Sequence, residues 1–247
     1  MPLNIFHDRD GLPRIILTEP KGSSAEVLLY GGQIVSWKNH RKEELLFMSS
    51  KANWKQHKAI RGGISACFAR FGDLGSLEQQ GFARNRMWSL DRDPSSLPPP
   101  LDNHSSVDLI LKSTKVDLKT PHSFEFRLRI SLSADKLILI PRIDRVYLHS
   151  PNKIAIIDHE KKRTFVLQKK GMPDAVVWNP WAKKAKANPD LGDDDYKIMI
   201  CVSSAAIETP LFLKPSEEWM GYQELSTVSS SYCSGQLDPR KVLYGFH

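Results

Sequence analysis

Two stretches set arginines beside glycines: Ile60-Arg61-Gly62-Gly63-Ile64 and Glu78-Gln79-Gln80-Gly81-Phe82-Ala83-Arg84-Asn85-Arg86, with Cys67-Phe68-Ala69-Arg70-Phe71-Gly72 between them. A guanidinium donates paired hydrogen bonds to a phosphate or carboxylate, and glycine lets backbone approach closely. Two such turns can therefore converge on one anion. The same composition also describes ordinary surface turns, and these residues taken alone leave both readings open.

Turns of this kind need a frame to hold them. Phe124, Phe126, Leu128, Ile130 and Leu132 alternate with Glu125, Arg127, Arg129 and Ser131, which predicts a half-buried strand with all five apolar side chains on one face. Similar runs predict strands at 14–18, 25–30, 33–37, 44–48, 107–111, 136–140, 153–157 and 163–167. Gly31-Gly32 between two of them predicts an antiparallel hairpin. Long amphipathic helical stretches are absent, and the Pro-rich run 93–101 reads as a loop because strand patterning resumes at Val107. The expected fold class is all-β, an antiparallel β-sandwich, with residues 1–247 forming one domain.

Composition narrows the partners. The chain has 40% apolar and 26% charged residues, as a folded globular protein does, and a formal charge of +7 that suits an anion. Lysine and arginine are dispersed, and the densest group, between Lys161 and Lys186, is broken by apolar runs. That patterning favours solvated strand edges and loops over a nucleic-acid face, and a sugar phosphate is the more economical anion. Residues 1–11 lack the apolar centre of a secretory signal, and no apolar run is long enough to span a bilayer. Three scattered cysteines, Cys67, Cys201 and Cys233, provide neither a disulfide framework nor a zinc site of CxxC type. The expectation is a cytoplasmic protein with no membrane partner.

The arginine segments resemble the IRGG, FPQFG and QHGFAR motifs of the glucose-6-phosphate 1-epimerases, a branch of the aldose 1-epimerases. Asp144-Arg145-Val146-Tyr147 resembles the family's DRVY turn. Ala175-Val176-Val177-Trp178-Asn179-Pro180-Trp181 resembles its VVWNPW strand and turn, and Ser229 to Pro239 resembles the C-terminal signature of its plant members. The resemblance implies a galactose mutarotase-like β-supersandwich and a hexose 6-phosphate substrate. It implies that Arg61, Gln79, Arg84 and Asp144 bind that substrate, the arginines taking the phosphate and Gln79 and Asp144 the hydroxyls. It also implies cofactor-free chemistry. A carboxylate removes the C1 hydroxyl proton, a histidine protonates the ring oxygen as the ring opens, and reclosure after rotation gives the other anomer.

The chain departs from that pattern at both chemical groups. Leu139-Ile140-Pro141-Arg142-Ile143 runs directly into Asp144, so a family segment that carries the acid histidine is missing between residues 143 and 144, and the sandwich is expected to be incomplete. His149 and His159, after the turn, read as ordinary strand or loop residues. The family's carboxylate, two positions after the cysteine of its CVE or CVD strand, is here Ser203, an alcohol without the basicity required. Glu208, five positions on, would face the other side of a strand. On the phosphate side Gln80 replaces a histidine, and Ala69-Arg70 replaces Pro-Gln. The expected function is that of a glucose-6-phosphate 1-epimerase-like isomerase with its chemistry endangered; the alternative is a non-catalytic hexose-phosphate-binding protein.

Overall fold

The computed structural model describes residues 5–7, 10–55, 58–66, 83–93, 97, 104–112, 114, 125–142, 152–158, 161–205 and 218–229. Among these, strands predominate. The first four, β1 (Ile5–His7), β2 (Pro13–Thr18), β3 (Ser24–Leu28) and β4 (Gln33–Lys38), form an antiparallel sheet in chain order. Alternation fixes which way each strand faces. In β2, Ile15 and Leu17 are fully buried while Ile16 between them is 46% exposed.

A second sheet of seven strands follows the order β5, β6, β7, β8, β13, β10, β9. Their ranges are Ser89–Leu90 (β5), Ser105–Lys112 (β6), Glu125–Leu132 (β7), Lys136–Arg142 (β8), Lys153–Asp158 (β9), Arg163–Lys170 (β10) and Tyr222–Ser229 (β13). Every pairing in it is antiparallel. A separate hairpin-like pair, β11 (Asp174–Trp178) and β12 (Cys201–Ala205), brackets a short helix, α1 (Trp181–Ala187). No described helix is long and apolar enough to cross a membrane.

The two large sheets share one core, as an antiparallel sandwich requires. Ile15, Val27, Ile34 and Trp37 from the first sheet pack in a single cluster with Leu109, Leu128, Ile130 and Leu137 from the second. Trp88 sits among them at 1% exposure, its ring edge-on to Phe126 with centroids 4.8 Å apart. Truncating such an aromatic to alanine costs about 3–5 kcal/mol. A smaller cluster of Leu12, Leu28, Tyr30, Val35 and Ile60 lies on the other face of β3 and β4, joined by Met48, Ala52 and Trp54. It packs Met48, Ala52, Trp54 and Ile60 against the sheet, and Ile60 leads into Arg61.

Two sequence expectations need correction. Residues 44–48 are not a strand: Lys38↔Glu44 and Met48↔Gly62 are isolated bridges, because the Glu44 carboxylate caps the Trp37 and Leu46 N–H groups and bends the chain. β7 is half-buried only at its start. Arg129 is 2% exposed because its Nε and Nη2 donate to Asp108 on β6 at 2.6 and 2.9 Å, and buried Ser131 shares a hydroxyl contact with Ser106. Paired polar groups thus let the second face of β7 be covered as well.

Candidate functional site

The hairpin turn between β3 and β4 is the hub of the site. Gly31 and Gly32 both have positive φ, 77° and 56°, a conformation that side chains rarely accept. Space closes the position further: a Cβ on Gly31 would lie 2.7 Å from the Arg84 carbonyl oxygen, and one on Gly32 3.1 Å from the Trp88 ring. The Gly31 N–H donates to the Arg86 carbonyl (2.7 Å), the Trp88 N–H to the Leu29 carbonyl (2.8 Å), and the Trp88 indole to the Ala83 carbonyl (3.0 Å). These bonds fix the short 3-10 turn Ala83–Asn85 that carries Arg84.

The other end of the same turn fixes Arg61. Gln33, 1% exposed, donates through its amide nitrogen to the carbonyls of Ile60 (3.0 Å) and Gly62 (2.6 Å), one on each side of Arg61. Ile34 and Ile64 exchange both backbone bonds at 2.9 Å, and the Ser49 N–H donates to the Arg61 carbonyl at 3.1 Å. Gly63 (φ 62°) runs so close to β4 that a Cβ would sit 2.1 Å from the Ile34 carbonyl oxygen. The segments bearing Arg61 and Arg84 are therefore brought together by one hairpin turn.

Arg61 also reaches across to the loop after α1. Its Nη2 donates to both carboxylate oxygens of Asp190, at 3.0 and 3.2 Å, with each side chain about a quarter exposed. That loop is held independently. The Ser49 hydroxyl and the Gly192 N–H each donate to Asp195 Oδ2 at 2.7 Å, the Ser50 hydroxyl donates to Oδ1, and Lys51 pairs with Asp193. Burial pushes the Asp195 carboxyl up, but these hydrogen bonds outweigh it and hold the group below its usual 3.8.

Asn179, within the Trp178-Asn179-Pro180-Trp181 turn, donates through its amide to the carbonyls of Tyr196 and Met199, both at 2.8 Å. That contact returns the chain to β12, where Ser203 pairs with Val176 of β11. Ser203 is half-buried, and its hydroxyl lies 3.7 Å from the Cys201 thiol two residues back on the same face. A thiol neighbour supplies no base for the hydroxyl. The described residues contain no group of three His, Cys, Asp or Glu side chains able to hold a metal ion. Gln79 and Asp144 lie outside the described residues, as do Arg70, Gln80, His149, His159 and Glu208.

Sequence reasoning missed Gln33, Asp190 and Asp195. Gln33 was legible only as the start of a strand, since a buried amide bonding to carbonyls far along the chain leaves no local pattern. The Pro189-Asp190 and Gly192-Asp193 pairs do signal turns. Nothing in them names Arg61 as a partner.

Comparison with known proteins fits this geometry. The family model described as Aldose 1-epimerase matches residues 13–140 and 139–226. A Cenchrus ciliaris protein provisionally named glucose-6-phosphate 1-epimerase is 47% identical over 298 aligned positions, covering 95% of this chain and 91% of that one. An Escherichia coli protein with the same provisional name is 27% identical, covering 79% of this chain and 84% of that one. Among solved structures, a provisionally named mutarotase from Salmonella typhimurium superposes with a TM-score of 0.77 at 22% identity, over 92% of this chain and 97% of its own. The fold is thus that of the galactose mutarotase group.

Proposed function

Since the chain belongs to the aldose 1-epimerase family, we propose that it is a glucose-6-phosphate 1-epimerase-like isomerase whose substrate is a hexose 6-phosphate. The observation that carries this reading is the shared anchorage of Arg61 and Arg84 on the β3–β4 turn. Two arginines whose backbones are anchored on one turn suit a phosphate dianion, which charged N–H donors bind more strongly than neutral donors do. Gln79 and Asp144 take the sugar hydroxyls in this reading. A cytoplasmic setting, where hexose phosphates are made and thiols such as Cys201 stay free, completes it.

Opening the pyranose ring requires that the O1–H proton leave as the C1–O5 bond breaks, with the released electron pair on O5 taking up a proton. The Ser203 hydroxyl is too weak a base for the first transfer. Residues 1–247 form one domain that lacks a family segment between 143 and 144. Two facts support that reading: the family match falls into two stretches that meet at residues 139–140, and an alignment of 298 positions taking in 95% of a 247-residue chain leaves about sixty positions without a residue. Ser203 favours a second reading, in which the chain binds hexose 6-phosphate without turning it over. Proton NMR of glucose 6-phosphate with the purified chain tests both. Ligand line broadening reports recognition, and magnetisation exchange between the anomeric protons reports turnover.

A further inference from the structure

We propose that Asp190 is a positioning residue for the phosphate site: it holds the Arg61 guanidinium by Nη2 and leaves Nη1 set for the ligand. The proposal rests on the reading of Arg61 as a phosphate ligand given above.

Three observations carry it. The contact is one-sided, because Nη2 alone donates to both Asp190 oxygens, whereas a pair satisfied for its own sake commonly uses the fork formed by two nitrogens. Nε of Arg61 is buried and has no partner among the described residues. Asp190 therefore does not saturate the guanidinium. Finally, Asp190 belongs to a loop tied down by other means, through Asp195 to Ser49 and through the Leu191 N–H to the Asn188 carbonyl, with Leu191 fully buried. The carboxylate is thus a fixed point against which a long, flexible side chain is held.

Ordering and charge act in opposite directions here. An arginine already held in place loses less rotamer freedom when it binds. A carboxylate nearby repels the phosphate, but this pair is partly exposed, so solvent weakens the repulsion. The proposal is that ordering dominates, and the sign of one substitution decides it.

The experiment is calorimetric titration of glucose 6-phosphate into the full-length chain and into Asp190→Ala, Asp190→Asn, Arg61→Ala and the Arg61→Ala/Asp190→Ala double variant, with urea midpoints recorded for each. Asp190→Ala is expected to lose about three- to tenfold in affinity. Asp190→Asn, which keeps an oxygen acceptor, is expected to recover part of that loss, and Asp190→Ala is expected to change nothing further once Arg61 is alanine. Unchanged or tighter binding by Asp190→Ala overturns the proposal, as does an equal loss in both backgrounds, which would mark a merely structural role. Arg61→Ala binding as well as the parent would instead remove the phosphate reading itself.

Discussion

Gln33 brackets Arg61: its amide nitrogen donates to the carbonyls on both sides of the arginine, at 3.0 and 2.6 Å, from a position 1% exposed. Gln33→Leu keeps the side-chain volume and leaves the Ile60 and Gly62 carbonyls without this donor. The variant is expected to lose about 1–3 kcal/mol of stability in urea titration and to bind glucose 6-phosphate more weakly, because the Arg61 backbone is released. Unchanged affinity alongside the lost stability would separate the fold of the turn from its role in binding.

Gly63 and Gly11 share a positive φ, 62° and 74°, but not their surroundings. A Cβ on Gly63 meets the Ile34 carbonyl at 2.1 Å, whereas nothing lies within 4 Å of one on Gly11. Gly11→Ala therefore carries only the conformational penalty of about 1–2 kcal/mol. Gly63→Ala adds a backbone collision, and its urea midpoint is expected to fall further, by the equivalent of at least ~1 kcal/mol.

Asp195 makes the 188–197 loop sensitive to acid. Its folded pKa is lowered because hydrogen bonds from Ser49, Gly192 and Ser50 outweigh the opposing effect of burial. The stabilisation is therefore complete above the unfolded value of 3.8 and is lost as pH falls through the lower folded one. Asp195→Asn is expected to destabilise the protein at pH 7 by about 1–2 kcal/mol. The gap between variant and parent should close as pH falls below that window, as followed by thermal unfolding at stepped pH.

Ser203 limits the chemistry in this account. On the second reading, binding without turnover, the parent chain is expected to exchange glucose 6-phosphate anomers no faster than buffer. Ser203→Glu alone should not restore exchange, since a positioned acid contributes about 10²–10⁴-fold and none has been supplied. Adding a histidine-bearing segment before Asp144 together with Ser203→Glu should do more than either change alone, because both groups act in one transition state. Exchange well above the buffer rate in the parent would contradict this.

Much of the frame was legible because period-two patterning is a local signal. β2, β4, β6, β7 and β10 all begin within two residues of where alternation puts them. β13 was not legible. Its sequence, YQELSTVS, is mostly polar, and its place between β8 and β10 comes from backbone pairing on both sides rather than from apolar alternation. The same division holds at the site. Arg61 and Arg84 stand in recognisable motifs, whereas Gln33 and Asp190 matter through contacts with residues distant in sequence, which no local pattern encodes.

Recognition of the phosphate is the central claim, and calorimetric titration of the parent chain with glucose 6-phosphate and with glucose tests it most directly. The account predicts measurable binding of glucose 6-phosphate and at least ~10-fold weaker binding of glucose, with Arg84→Ala losing about 1.5–3 kcal/mol for the phosphorylated sugar alone. Equal affinity for the two sugars would contradict it.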